Sequence, residues 1–184
     1  MAKIIIGLVG EIASGKDITK KYLEIHYGAR SHRFSTILRD LLSRLYMPIT
    51  RENMQNISTI LRQQFGEDLL AKILTEDVKN DPREIIIVDG IRRTADIVYL
   101  KELPGFVLVS IEVEAKTRYE RLVQRNENAD DSTKTYEQFL ADGKKETELE
   151  IPSVMASANY KLDNNGSLEN LYNQIEKIII DLEK

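Results

Sequence analysis

Ile4-Ile5-Ile6-Gly7-Leu8-Val9-Gly10-Glu11-Ile12-Ala13-Ser14-Gly15-Lys16 is the stretch on which the fold turns. Residues 4–9 form a continuous apolar run rich in β-branched side chains, without alternation. That pattern suits a strand covered on both faces, as in a parallel sheet. Glycine then stands at positions 10 and 15, Lys16 follows, and residues 17–27 have helical character. The order strand, G-x-x-x-x-G-K, helix is the context in which such a loop cradles phosphate. Glycines let the backbone turn tightly and point successive N–H groups inward. The helix N-terminus adds its positive end, and Lys16 supplies a mobile ammonium. Gly10, Ala13, Ser14, Gly15 and Lys16 are therefore expected to line a phosphate seat, with Asp17 and Ile18 completing it. Ser or Thr usually occupies the position of Asp17, where its hydroxyl binds Mg²⁺; a carboxylate is also a hard oxygen ligand for that ion.

Outward from this loop, short apolar runs alternate with amphipathic stretches. Residues 84–89 and 106–113 read as further strands, with weaker candidates at 30–34 and 159–162. Helices are expected over 17–27, 35–46, 52–79 with a turn near Gly66, 94–103 and 115–125. The final helix has the clearest period, with Leu168, Leu171, Tyr172, Ile175, Ile178, Ile179 and Leu182 spaced three to four apart behind a candidate Ser167 cap. Strands alternating with helices imply right-handed crossovers and an α/β sandwich. Residues 126–135 (NENADDSTKT) are polar, without apolar period, and longer than an ordinary connection.

Composition narrows the chemistry. A chain of 184 residues fits one domain and can bury about 70% of its unfolded surface. Without cysteine it has no disulfide, thiolate metal site or thiol nucleophile, and His26 and His32 are too few for a multi-histidine centre. The net charge of −4 provides no global field for nucleic acid. No apolar run is long enough for a membrane span and the start does not read as a secretory signal, so a cytoplasmic protein is expected.

Arginines mark the rest of the candidate site. Asp89-Gly90-Ile91-Arg92-Arg93 follows the strand at 84–89. The carboxyl ends of parallel strands are where α/β proteins bind ligands. Asp89 can then hold Mg²⁺ through water, while Arg92 or Arg93 reaches into the crevice. Arg118, Arg121 and Arg125 form a stripe on one helix, beside the polar stretch. Arg39 and Arg62 lie in the helical region after the second strand and are candidates for an acceptor phosphate. Asn165 and Gly166 sit in a turn that can read a nucleotide base through its backbone.

Taken together, GLVGEIASGKD, FSTILRDLL, VDGIRRT, RLVQR and the closing NNGSLENL resemble P-loop nucleoside monophosphate kinases and their relatives, including adenylate, deoxynucleoside monophosphate and dephospho-CoA kinases. The resemblance implies a three-layer α/β/α sandwich on a five-stranded parallel sheet, of the P-loop NTPase, nucleotide-kinase type. It implies an acceptor-binding helical region near residues 35–80 and a lid near 126–140. Lys16 and the loop amides would hold Mg·ATP, with Asp17 and Asp89 organising Mg²⁺. Arg121 and Arg125 would stabilise the migrating γ-phosphoryl group, and Arg39 and Arg93 would fix the acceptor. The expected partner is a nucleoside monophosphate or similar small phosphorylated acceptor, with neither nucleic acid nor membrane, for a monomer or homodimer. Two alternatives stand beside it. Dephospho-CoA kinase-like transfer to a ribose hydroxyl would need a base, and residues 32–36 contain no acid. A non-catalytic nucleotide-binding protein is the other, favoured by Asp17 and Ile18.

Overall fold

Strand β1 (Ile4–Val9) runs through the centre of a five-stranded sheet in the computed structural model, which describes residues 3–125, 134–145 and 148–184. The other strands are β2 (Arg30–Arg33), β3 (Ile85–Asp89), β4 (Phe106–Glu112) and β5 (Tyr160–Asp163), in the order β2-β3-β1-β4-β5. Every neighbouring pair is parallel, with Ile5 opposite both Ile86 and Phe106, Arg33 opposite Asp89, and Glu112 opposite Asp163. All five expected strands are present. The helices are α1 (Lys16–Tyr27), α2 (Phe34–Arg44), α3 (Arg51–Phe65), α4 (Leu69–Asn80), α5 (Ala115–Arg125), α6 (Tyr136–Asp142), α7 (Ile151–Ala156) and α8 (Leu168–Leu182).

Side chains of a strand alternate between the two faces of its sheet, and β1 distributes its residues accordingly. Ile5 and Val9 join Ile86, Val88 and Leu108 in a core closed by Ile37 and Leu38 of α2, Leu70, Leu74 and Val78 of α4, and Val154 of α7. Ile4, Ile6 and Leu8 join Ile87, Val109 and Ile111 on the other face, closed by Leu23 of α1 and Leu171, Ile175 and Ile179 of α8. The apolar runs lack polar alternation because both faces of the sheet are covered, which makes this a three-layer sandwich.

Local signals place several helix ends. Thr50 and Ser167 accept backbone N–H bonds from Asn53 (3.1 Å) and Asn170 (3.2 Å), capping α3 and α8. Residues 94–103 differ from expectation. They form two short 3-10 helices, Thr94–Ile97 and Leu100–Glu102, rather than one α-helix. Asp96 caps the start of the first, where its carboxylate accepts from the backbone N–H groups of both Arg92 and Arg93 at 2.9 Å. Of the expected lid, residues 126–133 lie outside the described residues, while α6 follows the Thr135 cap and buries Phe139. No helix among the described residues is long and apolar enough to cross a membrane.

Helices α1 and α8 are tied by Glu176, which accepts the hydroxyls of Tyr22 and Tyr27, each at 2.6 Å. The bond from Tyr22, then that from Tyr27, holds the Glu176 carboxyl below its usual pKa. A carboxyl with a depressed folded pKa contributes stability above its ordinary value and loses it as pH falls through the folded value. Glu176→Gln is accordingly expected to be less stable than the parent near pH 7. The gap should close on acidification below about pH 4, as read by urea unfolding. Ile86 is fully buried at the sheet centre. Ile86→Ala should lower the unfolding free energy by about 2–5 kcal/mol in the same assay.

Candidate active site

Because all strands point the same way, their carboxyl ends open onto one edge of the sheet. A cleft of ≈ 1670 Å³ lies there. That exceeds the roughly 300–1,000 Å³ typical of a single small-ligand site and leaves room for two ligands side by side. The loop from Gly10 to Lys16 forms part of its wall, together with Asp17 and Ile18 from the first turn of α1.

The loop is held in a demanding conformation. Ala13 has φ 60° and Gly15 φ 101°. A left-handed backbone at a non-glycine residue costs about 1–2 kcal/mol, so Ala13 needs its neighbours to hold it. Ser14 N–H donates to the Glu11 carbonyl at 3.2 Å, and the Lys16 ammonium donates to the Glu11 carbonyl at 3.0 Å and to that of Gly10. From the end of β5, the buried Asn164 donates its amide to the Ser14 carbonyl at 2.8 Å. Arg121 of α5 in turn donates to the Asn164 carbonyl at 2.8 Å. Asn164 packs so closely on Gly15 that a Cβ there would lie 2.2 Å from its amide nitrogen. Burial pushes the Lys16 pKa down against the opposing pull of Asp89, so an incoming anion would favour its charged form.

Several polar atoms around the loop are buried without a hydrogen-bond partner. They are Ser14 Oγ, Asn164 Oδ1 and Arg121 Nη1, with Arg62 Nε on the opposite wall. Each unmet buried group costs about 1–3 kcal/mol. All four residues line the cleft.

Asp17, Arg33 and Asp89 of the cleft lining form a charge network with Lys20. Lys20 Nζ is 2.7 Å from Asp17 and 3.2 Å from the buried Asp89. Arg33 Nε is 2.6 Å from Asp89, and its Nη2 is 3.4 Å from Asp17. The bond from Lys20 holds the Asp17 carboxyl below its ordinary pKa. Asp17 and Asp89 thus face one small cation, here the Lys20 ammonium. Among the described residues, no group of three or more His, Asp or Glu side chains could hold a metal. Two carboxylates fit Mg²⁺ that brings its remaining ligands as phosphate and water, but they are no all-protein cage.

The expected arginines divide. Arg62, Arg92, Arg93, Arg121 and Arg125 line the cleft, as does Gly166. Arg92 pairs with Glu148 at 3.1 Å and Arg93 with Glu67 at 3.7 Å. Arg39 is exposed and is not part of the cleft lining, because α2 turns its Ile37, Leu38 and Leu42 face inward and leaves position 39 on the outer side. Asn165 is also outside the lining. Its side chain accepts from Glu114 N–H at 2.8 Å and donates to Asp163 at 2.6 Å, which makes it part of the turn. Arg118 is buried rather than part of a solvated stripe.

The residue pattern does not single out Lys20 or Arg33 as members of the site. The carboxyl-end rule that selected Asp89 applies equally to Arg33, the last residue of β2, and to Asn164, one past β5. Lys20 is detectable as an i,i+3 partner of Asp17. His32 also has an unforeseen partner, Asp81 at 2.7 Å.

No family model matches the chain. It is 31% identical over 172 residues to the UPF0200 protein of Staphylothermus marinus, an alignment covering 94% of this chain and 89% of that one. Among solved structures, TT1252 from Thermus thermophilus superposes with TM-score 0.60 at 16% identity, covering 99% of each chain. Shikimate kinase from Bacteroides thetaiotaomicron does so with TM-score 0.63 at 13% identity, covering 98% of this chain and 99% of the other. The fold is that of the P-loop kinases.

Gly15→Ala would drive a Cβ into Asn164 and strain a left-handed backbone. Binding of inorganic tripolyphosphate, followed by calorimetry, is expected to weaken at least about tenfold in this variant.

Proposed function

The chain belongs to the UPF0200 protein family, and we propose that it is an ATP-dependent phosphotransferase that moves the γ-phosphoryl group to a nucleoside or deoxynucleoside monophosphate. One observation carries this reading. The glycine loop after β1 shares a cleft large enough for two ligands with guanidinium groups from several elements, among them Arg62 on α3, Arg92 and Arg93 after β3, and Arg121 and Arg125 on α5. Phosphoryl transfer asks the protein for positioning and charge stabilisation rather than covalent chemistry. Arginine suits both tasks, since its planar fork binds phosphate bidentately and stays charged.

In this reading the loop N–H groups and Lys16 hold the β- and γ-phosphates, with Lys16 exchanging its carbonyl partners for phosphate oxygens. Arg121 and Arg125 face the migrating group, while Arg62, Arg92 and Arg93 fix the acceptor. An acceptor phosphate oxygen attacks the γ-phosphorus as the bond to the β–γ bridging oxygen breaks, leaving ADP and a diphosphate product. Mg²⁺ entering with the nucleotide would be held through Asp17 and Asp89 and would neutralise phosphate charge. The region near 35–80 serves as the acceptor side.

The acceptor phosphate is already a nucleophile at neutral pH, so no base is required. A hydroxyl acceptor would need one. Asp89 is the buried carboxylate at the cleft, but Arg33 and Lys20 occupy it at 2.6 Å and 3.2 Å, which suits a fixed anion better than a free base. This favours the phosphate acceptor.

ADP release measured over a panel of nucleoside and deoxynucleoside monophosphates tests the proposal. Turnover with at least one is expected, and nucleotide binding without turnover on every acceptor would point to a non-catalytic protein. Lys16→Ala should lower turnover by at least about a hundredfold. A variant as active as the parent would mean that the loop does not serve the donor.

A further inference from the structure

A loop that gathers backbone N–H groups around an anion carries an anion of its own. Glu11 lies directly after Gly10, and its side chain is 38% exposed. An unpaired carboxylate there would repel the same phosphates that the nest and Lys16 attract. On α5, Arg118 meets it. Arg118 Nη2 lies 2.9 Å from Glu11 Oε2, and Nη1 lies 3.5 Å from the Ile12 carbonyl, both within the loop. Nε donates to the Val113 carbonyl at 3.2 Å, and the guanidinium lies 5.3 Å from the centre of the Phe139 ring on α6. Its side chain is only 9% exposed. Unlike Arg121 and Arg125 on the same helix, Arg118 is not part of the cleft lining. It therefore has no route to the ligand except through the loop.

We infer that Arg118 is a positioning residue that neutralises Glu11, so that the loop accepts a polyanionic ligand. The inference rests on the nucleotide-binding part of the reading above and is independent of the acceptor. The guanidinium reaches the Val113 carbonyl, the Ile12 carbonyl and the Glu11 carboxylate together, and of these only the carboxylate carries a charge. The location agrees with the strained backbone at Ala13, which lies one residue beyond the carbonyl that Arg118 holds.

The test is binding of Mg·ATP and of tripolyphosphate to the full chain, by calorimetry, for the parent, Arg118→Met, Arg118→Lys, Glu11→Gln and the double variant Arg118→Met/Glu11→Gln. Arg118→Met should weaken binding at least about tenfold, and the deficit should shrink as salt rises. The double variant should recover to within about threefold of the parent, since the carboxylate left unpaired has been removed. Arg118→Lys, which keeps the charge, should also stay within about threefold, and Glu11→Gln should bind at least as tightly as the parent. A purely structural prop would behave differently: the double variant would bind as weakly as Arg118→Met, and that result overturns the inference. So does an Arg118→Met variant with parental affinity. Should Arg118→Met fail to fold, Arg118→Lys and Glu11→Gln decide, because a tenfold loss in either contradicts the charge account. A parent that binds neither ligand sinks the nucleotide reading itself, whereas binding without turnover leaves this inference standing.

Discussion

Parallel pairing is the constraint on which the rest of this molecule depends. When every strand of a sheet runs the same way, all carboxyl ends emerge on one edge, and each connection must cross a face to return. Those crossings cover both faces with helices and make the strands apolar throughout. They also bring the last residues of strands distant in sequence to one cleft. Arg33, Asp89 and Asn164 meet the loop after Val9 for this reason alone. With β1 at the centre, its loop is flanked by the ends of β3 and β4.

The loop itself is a strained element held from outside. Ala13 and Gly15 have positive φ. Asn164 clamps the Ser14 carbonyl, Arg121 braces Asn164, and Arg118 reaches Glu11 and Ile12. Strain of this kind persists only where the surroundings over-determine the conformation. Helix α5 consequently has two tasks: Arg118 faces the packed interior toward the loop, while Arg121 and Arg125 face the cleft. Equal spacing in the chain gives no hint of that division.

Charge in the cleft is balanced locally. Lys20 and Arg33 compensate Asp17 and Asp89, and Arg118 compensates Glu11. Arg62, Arg92, Arg93, Arg121 and Arg125 still line the cleft of this mildly acidic chain. This explains why net charge excluded a global field for nucleic acid yet said nothing about the site.

The five strands, most helices and the glycine loop between β1 and α1 were legible in the residues, because hydrophobic period and glycine spacing are local properties with a direct backbone consequence. Residues 94–103 were less so. Their composition permits one helix, but the segment forms two short 3-10 turns, the first capped by the Asp96 carboxylate on the N–H groups of Arg92 and Arg93. Arg39 and Asn165 carried plausible chemistry in suitable neighbourhoods. The rotation of α2 about its axis placed one outside the cleft, and the geometry of the β5–α8 turn used the side chain of the other. The chain by itself determined the class of fold and the location of the glycine loop, since both follow from near-neighbour patterns. Only the tertiary structure decided which charged side chains share its cleft, because that depends on helix rotation and on contacts between strand ends far apart in sequence, neither of which a local pattern encodes.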